Sequence, residues 1–598
     1  MVVTVGLASP LERVSSTYED FMDIFRENGC KACKTGVGWV NKYLLGNIAA
    51  QLINLGLGLY CTSQHLKWTQ CFKASNGWSP PVFEGLRKIL NPEYFCEITT
   101  GACEKENFRE IRLNQEVKRI ISDKPDFIKD NKYINKLYDQ IDEDRRAGKQ
   151  RKNMTLYHIT DVHINADYKE GTNNKCNSFV CCTEESGVAT KDKDRAGKWG
   201  DYLCDTNPRV IDQLQTAVGT TGMPDFVAWT GDSTGHQIHN NPFITTKATK
   251  QVTLILERIF EKSVVFPIHG NHEFAPFNIQ DMSKKNSEEV ELIADAWKDW
   301  MTPEVYQEFI HHSYFSYDAK THPKASEEFK RKMDKVRIIS INTQNCYTFN
   351  FKLIGEYNDP GQEFNWLENL LRQMEKDGEI AILIGHIPPG NLDCTQEFGM
   401  RMRALHDRFQ HIIRLNLFGH THYEEFEVHR GISDDLPIGT NHVSPSITTF
   451  VDQNPSFRVI ILDEETLLPI EIQTYTMYLD KANKNDKDAK FVLDHEYTKQ
   501  FGLKDLSPSS MLILSNKLRN YDDHATNYMI KRLGGSPKAH YNMKKGCNER
   551  CRRIIFCDTA FNDHGSKRAC KKWADLDSIE MATYIFDFVY PSWVKRIE

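Results

Sequence analysis

The sequence lacks a long uninterrupted hydrophobic run, an excess of basic residues and a pair of CxxC motifs. Its most apolar stretch, VGWVNKYLLGNIAAQLINLGLGLYC, is interrupted by Asn47, Gln51 and Asn54, so we expect no transmembrane segment. The net charge of -7 provides no general attraction to nucleic acid or to an anionic membrane, which argues against nucleic-acid binding. A single CxxC, Cys30 to Cys33, argues against structural zinc knuckles.

The composition is that of a folded protein. The 598 residues are 40% hydrophobic and 26% charged, which is enough for two or three domains. Sixteen cysteines, an even number, are typical of a secreted or lumenal chain, and a glycosylation sequon at Asn153 agrees with export. The N-terminal stretch MVVTVGLASPLERV lacks a basic region and a full apolar core, so either a signal peptide was removed or this compartment is wrong.

The pattern of residues divides the chain into four segments. Residues 20–104 are predicted to form short helices that carry six cysteines, and residues 105–153 a charged helical connector. Residues 154–475 contain apolar, β-branched runs with helical patterns between several of them, which indicates a layered α/β fold. Residues 476–598 carry four more cysteines.

Five apolar runs of the third segment each end in a polar cluster. They are MTLYHITDVHI, DFVAWTGDSTGH, SVVFPIHGNHE, EIAILIGHIPPG and IRLNLFGHTHYEEF. Singly, such an aspartate is commonly a helix cap and such a histidine a turn residue, but the ordered series is hard to produce by chance. Because ligands collect at strand carboxyl ends, we expect one site there. Its candidate residues are Asp161, His163, Asp232, Asn271, His272, His386, His420 and His422.

The two histidines of Gly-His-Thr-His are close enough to bind metal. If the chain is extended there, His420 and His422 share one face about 6.6 Å apart, whereas on a helix they point apart. That spacing lets each imidazole serve a different ion.

In order and content, the five motifs resemble those of the calcineurin-like metallophosphoesterases. By that resemblance the first metal is bound by Asp161, His163 and His422, the second by Asn271, His386 and His420, and both by Asp232. A dinuclear site of nitrogen and oxygen ligands suits zinc, manganese or iron, and for an exported protein in a mildly acidic compartment we predict two zinc ions.

The same resemblance implies a mechanism for phosphodiester hydrolysis. Two metals lower the pKa of a bridging water, which then attacks phosphorus in line. An alkoxide leaving group needs a proton, and His272, beside the ligand Asn271, is the family's usual donor. His236, in GDSTGHQIH, is the second candidate, with a plain loop histidine as its alternative.

Other stretches resemble the narrower acid sphingomyelinase family. They include GKWGDYLCD, DPGQEFNWLENLL, IGHIPPG, FGHTHYEEFEV and SPSITTFVDQNPSFRVI. The resemblance implies a helical saposin-like domain at 20–104, a two-sheet phosphoesterase domain with flanking helices at 154–475 and a helical C-terminal subdomain. It also implies hydrolysis of sphingomyelin to ceramide and phosphocholine. The charged connector differs from the proline-rich one of better-known members, and one sequon is fewer than expected for a lysosomal enzyme.

The cysteine spacing alone leaves the pairing open, since six cysteines allow fifteen connectivities. The family resemblance implies eight disulfides and no free thiol: Cys30–Cys103, Cys33–Cys96, Cys61–Cys71, Cys176–Cys181, Cys182–Cys204, Cys346–Cys394, Cys547–Cys551 and Cys557–Cys570.

We therefore expect a lysosomal or secreted monomer that contacts a membrane peripherally through residues 20–104. Two alternatives stay open: a phosphodiesterase for ceramide phosphoethanolamine or soluble nucleotide diesters, and a non-catalytic lipid-transfer protein. Three aromatic residues are candidates for cation-π contact with choline: Tyr423, Phe457 and Trp199. The alternative, which is the more common case, is that such residues only pack against their neighbours.

Overall fold

A computed structural model describes residues 29–44, 47–99, 102–103, 113–356, 359–572 and 575. Parts of three predicted segments, residues 20–28, 104–112 and 576–598, lie outside the described residues. Among the residues described, no helix is both long and apolar enough to cross a bilayer.

The N-terminal segment is helical. Its elements are α1 (29–39), α2 (Asn47–Ser63), α3 (Trp68–Ile89) and the single turn α4 (Pro92–Tyr94). Helices α2 and α3 pack on each other as an antiparallel pair whose connection is closed by the Cys61–Cys71 disulfide. Two further disulfides, Cys30–Cys103 and Cys33–Cys96, tie the beginning of this segment to its end.

The described part of the connector consists of two amphipathic helices, of which the first packs on the later helix Gln396–Arg408 and the second on the strand Pro437–Val443. They are α5 (Leu113–Ile121) and α6 (Tyr133–Arg146). Helix α5 buries Leu113, Val117 and Ile120, which recur at helical spacing on one face, and α6 likewise buries its apolar side in the main core. The charged faces stay in water, so the connector is part of the packed structure.

Twelve strands form two mixed sheets. They are β1 (Asn153–Ile159), β2 (Phe226–Trp229), β3 (Val264–Pro267), β4 (Phe315–Asp318), β5 (Val336–Ser340), β6 (Ile380–Ile384), β7 (Ile413–Phe418), β8 (Glu425–Arg430), β9 (Pro437–Val443), β10 (Ser456–Asp463), β11 (Pro469–Thr476) and β12 (Val492–Glu496). The first sheet has the order β12-β11-β10-β1-β2-β3 and the second β4-β5-β6-β7-β9-β8. Strands β1, β2 and β3 are parallel, as are β5, β6 and β7, so their carboxyl ends meet at one edge of each sheet.

Helices connect these strands and cover the sheets. They are α7 (Pro208–Asp212), α8 (Leu214–Thr221), α9 (Pro242–Ile259), α10 (Glu288–Trp297), α11 (Pro303–His312), α12 (Glu327–Lys332), α13 (Glu363–Asp377) and α14 (Gln396–Arg408). The largest buried side chains include Trp229, Trp297 and Trp300, which meet edge to face beside β2. The fold class predicted from the apolar runs, α/β with helical terminal segments, is confirmed.

The C-terminal segment is mostly helical but not wholly so. Its helices are α15 (Leu479–Ala482), α16 (Tyr497–Phe501), α17 (Pro508–Asn520), α18 (Asp522–Arg532), α19 (Pro537–Asn542), α20 (Glu549–Ala560) and α21 (His564–Cys570). The boundary placed at residue 475 falls inside β11, and β12 adds an antiparallel edge strand to the first sheet. Helices α17 and α20 pack on β8 and β9, so this segment shares the core of the second sheet.

All sixteen cysteines are paired. The eight disulfides are the pairs that the family resemblance implies. Asn153, the sequon residue, is exposed at the beginning of β1.

Candidate active site

The candidate site lies where β1, β2, β3, β6 and β7 end. Its backbone is unusual, because Asp161, His163, Asp232, His420 and His422 all have positive φ, between 41° and 71°. Such left-handed conformations are unfavourable for residues with a Cβ and persist where the surroundings fix them, most commonly at functional sites. The strand ends thus turn their polar side chains inward towards one another.

The expectation of an extended Gly-His-Thr-His segment is wrong. Strand β7 ends at Phe418, and both histidines follow it in a tight loop with φ values of 71° and 65°. The loop aims His420 at Asn271 and His422 at His163. Two imidazoles near different groups therefore result from turn geometry and not from a shared strand face.

The first group of side chains surrounds Asp161. The Nε2 atoms of His163 and His422 are 3.0 Å apart, and His422 Nε2 is 3.4 Å from Asp161 Oδ1. His163 Nε2 also lies 3.4 Å from Asp232 Oδ2. All four residues are buried.

The second group surrounds Asn271. Its Oδ1 atom is 2.9 Å from both His386 Nε2 and His420 Nδ1. His386 Nε2 is also 3.2 Å from Asp232 Oδ2, the same oxygen that approaches His163. Asp232 is therefore the residue that belongs to both groups.

Hydrogen bonds at the far side of each ring fix the histidine tautomers. His163 Nδ1–H donates to the Thr234 carbonyl (2.7 Å) and His386 Nδ1–H to the Thr230 carbonyl (2.6 Å), since a carbonyl can only accept. His420 Nε2 bonds Asp393 Oδ2 at 2.9 Å. The nitrogens that face the site are thereby left without a proton, as metal ligands require.

Acceptor atoms thus converge on the site with no donor between them. Asp161 Oδ1 is buried without a hydrogen-bond partner, and among the described residues no lysine or arginine forms an ion pair with Asp161 or Asp232. Carboxylate and amide oxygens together with imidazole nitrogens are a donor set that suits divalent zinc, manganese or iron. The side chains present therefore fit two cations.

The pKa shifts of the site residues agree with a site that needs positive charge. Burial by itself raises the pKa of Asp232, but His386, His272 and His163 outweigh it, and the pKa falls well below its usual range. Burial lowers the pKa of His163 and His386, yet the neighbouring carboxylates raise each to about 9. The buried carboxylates therefore favour positive charge at this site.

A buried carboxylate joins two of the loops. Glu273 accepts from the backbone N–H groups of Asp232 (3.0 Å), Ser233 (2.6 Å) and Gly270 (2.6 Å). A Cβ on Gly231 or Gly270 would overlap the opposite loop, and Gly231 has a φ of 92°. The glycines of these two motifs therefore permit the close approach that brings Asp232 and Asn271 together.

The two proton-donor candidates lie beside the first group. The ring of His272 stacks on Phe277 at 4.4 Å, and its Nδ1 is buried without a partner. Burial lowers the pKa of His272 well below its ordinary value, with Asp232 opposing the shift. The His236 ring is 4.3 Å from that of His163 and 4.9 Å from that of His272.

Two supporting carboxylates were missed from the sequence. Asp205 binds His236 twice, through Nδ1 (2.6 Å) and the backbone N–H (2.8 Å), and Asp393 binds His420. Neither follows an apolar run. Their only local signal is a neighbouring cysteine, Cys204 or Cys394, whose disulfide holds the loop.

A cavity of about 530 Å³ opens next to His420. Its lining includes Tyr347, Asp393 and Tyr423, together with residues of α18 and α20. Tyr423, an expected aromatic contact, lines this cavity, but the Arg532 guanidinium already lies 4.3 Å from the centre of its ring.

The other two expected aromatic contacts lie elsewhere. Phe457 is fully buried in β10, where it stacks on Tyr475, so it has the packing role that was its alternative. Trp199 donates its indole N–H to Asp486 (3.0 Å) and does not line the cavity.

Comparison with known proteins places these features in a family. Residues 154–424 match the calcineurin-like phosphoesterase family, and residues 437–576 match the acid sphingomyelin phosphodiesterase C-terminal region. The chain belongs to the acid sphingomyelinase family. Both matches fall on the segments that build the site and its flanking helices.

Several curated relatives are similar over much of the chain. Sphingomyelin phosphodiesterase B of Dictyostelium discoideum is 30% identical over 68% of this chain and 63% of its own length. The Bos taurus sphingomyelin phosphodiesterase is 27% identical over 67% and 63%, and D. discoideum sphingomyelin phosphodiesterase A is 24% identical over 88% of each chain. The aligned region thus spans about 63% of the length of the first two relatives.

Proposed function

We propose that this chain is a metal-dependent phosphodiesterase that hydrolyses sphingomyelin to ceramide and phosphocholine. The observation that carries the proposal is the convergence of imidazole, carboxylate and amide groups from five strand ends around Asp232, where no lysine or arginine of the described residues pairs with Asp161 or Asp232. The names of the curated relatives support sphingomyelin as substrate.

The proposed ligands follow the two groups. Asp161, His163, His422 and Asp232 would hold one ion, and Asn271, His386, His420 and Asp232 the other. Bound there, two divalent cations, which we propose to be zinc, supply Lewis-acid activation of water and of the phosphoryl oxygens. Asp393 keeps His420 in the tautomer whose Nδ1 faces the site.

The reaction requires one proton transfer to the leaving group. A water oxygen forms a bond to phosphorus while the bond from phosphorus to the ceramide oxygen breaks, and that oxygen takes a proton. We propose His272 as the donor, because burial disfavours its charged form and so makes it a strong acid once protonated. His236, oriented by Asp205, is placed to take up the proton that the attacking water loses and to return it to His272.

The N-terminal helices border the leaving-group side. Trp78 of α3 packs edge-on against Phe277 (5.6 Å), whose other neighbour is His272, and its indole N–H donates to the Ile238 carbonyl (3.2 Å). These helices also expose large apolar side chains, among them Leu52, Leu55, Leu59, Tyr60 and Trp68. Such surface favours a lipid ceramide over a soluble leaving group.

This arrangement supports the proposed division of labour. Residues 20–104 would contact the membrane peripherally as a saposin-like domain, 154–475 would carry catalysis, and 476–598 would complete the wall of the cavity beside His420. Eight disulfides indicate an oxidising compartment, and we propose a secreted or lysosomal monomer in which Asn153 can be glycosylated.

A product assay on the full chain tests the proposal. Vesicles of sphingomyelin, vesicles of ceramide phosphoethanolamine and a soluble nucleotide diester are offered at acidic pH, with metal content measured on the same sample. We expect two ions per chain and phosphocholine as the fastest product. Asp192→Asn, a change of a fully exposed aspartate, is the control for Asp232→Asn.

Each alternative has its own outcome. Faster hydrolysis of ceramide phosphoethanolamine or of the nucleotide diester would show that sphingomyelin is not the preferred substrate. A chain that holds no metal and releases nothing after metal is added back would be a lipid-binding protein without catalysis.

A further inference from the structure

A small polar cavity lies at the opposite end of β7 from His420 and His422. Its volume is about 20 Å³, and it is bounded by α6, the end of α14, β7 and β9, with Leu506 before α17 and Pro508 at its start. Three segments of the chain therefore meet around it: the connector, the second sheet and the C-terminal helices.

One cation faces this cavity without a counter-charge. Arg414, the second residue of β7, is partly buried, and its Nε and Nη1 atoms are enclosed without a hydrogen-bond partner. No carboxylate lines the cavity, and within the described part of the chain Arg414 forms no ion pair. The Tyr133 side chain is a neutral partner, with its ring centre 5.3 Å from the guanidinium and its hydroxyl bonded to the Arg414 side chain. An enclosed guanidinium with no anion beside it is energetically costly.

The arginines on the adjacent helix α14 are all compensated. Arg401 binds Glu116, Arg403 binds Asp563, and Arg408 binds both Asp123 and Glu375. Arg414 thus differs from its neighbours in lacking an acidic partner from the protein, which points to a partner from solution.

Other groups around the cavity can donate hydrogen bonds. His442 Nδ1 and Thr440 Oγ1 are buried and have no partner in the described structure. Tyr138 is committed to the Pro469 carbonyl (2.8 Å), and the Gln410 amide N–H₂ to Asn131 (2.8 Å). The groups left over are therefore mainly donors, although Gln410 Oε1 is one unpartnered acceptor that a water would suit.

The size of the cavity limits the ligand. About 20 Å³ accommodates one water-sized sphere or a slightly larger one, and it excludes phosphate, sulfate and carboxylates. We propose that this cavity binds a single halide ion, chloride under ordinary conditions, which neutralises Arg414 and links the connector and the C-terminal helices to the second sheet. Because the ion would bind only the folded protein, it stabilises the fold by mass action.

Anomalous diffraction from crystals of the full chain soaked in sodium bromide tests the site directly. We expect one bromide peak in the cavity, within hydrogen-bonding distance of Arg414 Nε or Nη1. Density without anomalous signal would identify a water and overturn the proposal. This measurement needs no variant, so it decides the question even if changes at Arg414 prevent folding.

Thermal unfolding supplies a second test. In sodium chloride the midpoint should lie about 1–2 °C above that in sodium gluconate of equal ionic strength, because the shift that one added interaction produces becomes smaller as the chain becomes longer. Arg414→Met should abolish the difference. Arg337→Met, which breaks the ion pair with Glu379 instead, should lower both midpoints and preserve the difference. A chloride effect that persists in Arg414→Met would contradict the proposal.

Discussion

The strand-end site and the N-terminal helices depart from ordinary protein surfaces in opposite ways. At the site, Asp161 and His163 are wholly buried, although both are polar. In the helices, Leu52 is 61% exposed and Tyr60 69% exposed, although both are apolar. Buried acceptors need a cation, and exposed apolar side chains need a covering surface. The proposed partners of the two regions therefore differ: metal ions for the strand-end site and lipid for the N-terminal helices.

Weakening metal binding at the strand-end site should have the largest effect of the changes considered. Asp232→Asn removes the charge from the one oxygen that approaches both His163 and His386. We expect turnover to fall by more than about 100-fold, the upper end of the cost of losing a residue that merely supports a ligand. Elemental analysis should find fewer than two ions per chain. Full metal content with normal turnover would contradict the role of Asp232.

Changing His272 should affect lipid turnover more than turnover of an activated ester. His272→Ala is expected to slow sphingomyelin hydrolysis by about 10²- to 10⁴-fold, because the ceramide alkoxide needs a proton. Nitrophenolate leaves without one, so a nitrophenyl phosphodiester should suffer less.

Metal analysis and a companion variant complete that experiment. His272→Ala should keep both ions, and Asp205→Asn, which disturbs only the support of His236, should change the pH profile more than the metal content. Equal losses on both substrates would remove the proton-donor role of His272.

Weakening lipid contact by the N-terminal helices should leave hydrolysis at the strand-end site unchanged. Leu52→Ser together with Leu59→Ser removes two apolar side chains, each more than half exposed, from α2. Since a fully buried leucine contributes about 1.5–3 kcal/mol, vesicle binding should weaken roughly 10-fold or more. Sedimentation with sphingomyelin vesicles measures this, while nitrophenyl ester turnover should not change.

A matched variant separates lipid contact from general loss of apolar surface. Ile513→Ser, on α17, removes an equally exposed apolar residue outside the N-terminal helices. It should bind vesicles like the unchanged chain. If it weakens binding as much as the pair on α2, the N-terminal helices are not the lipid-facing surface.

Glu363 is a buried polar group that needs no partner from outside the protein, and changing it should have the smallest effect. Glu363 is buried, and burial raises its pKa from 4.5 to about 8 even though Asn342 N–H (2.6 Å) and Asn345 Nδ2 (3.1 Å) donate to it. It needs no cation because it stays protonated. The folded chain keeps a proton that the unfolded chain releases above pH 4.5. This contribution to stability is therefore complete below about pH 4.5 and declines as the pH rises towards 8.

Glu363→Gln should flatten this pH dependence. The amide mimics the protonated acid, and Asn345 Oδ1, which is buried without a partner, can accept its N–H. The difference in unfolding midpoint between pH 5 and pH 8 should shrink by a few degrees. Glu327→Gln, at an exposed position on α12, should leave it unchanged. An undiminished slope in Glu363→Gln would show that Glu363 is already ionised at pH 5.

Much of the candidate site was predictable because its residues directly follow apolar runs. Asp161, Asp232 and His386 each stand at the end of a buried strand, and parallel pairing brings such ends together. The supporting residues were not predictable in this way. Asp205 and Asp393 lie in loops without periodicity, and they meet His236 and His420 only after the fold forms.

The misses in the fold have similar physical causes. Strand β12 is a short edge strand in a segment dominated by helices, and its pairing with β11 is not encoded in its five residues. Phe457 was expected at the mouth of the site, but its place in β10 turns its ring into the core. Local pattern identified the strands and their ends, whereas which face a side chain meets depended on tertiary packing.

The distribution of the disulfides has a consequence for how the molecule could be dismantled. Every one of the eight closes a loop within the N-terminal helices, within the phosphoesterase sheets or within the C-terminal helices. A single protease cut between Cys103 and Leu113 would leave the N-terminal helices held by surface contacts alone, such as that of Trp78 with Ile238. After that cut no covalent bond would join the N-terminal helices, the proposed lipid-contacting part, to the two sheets.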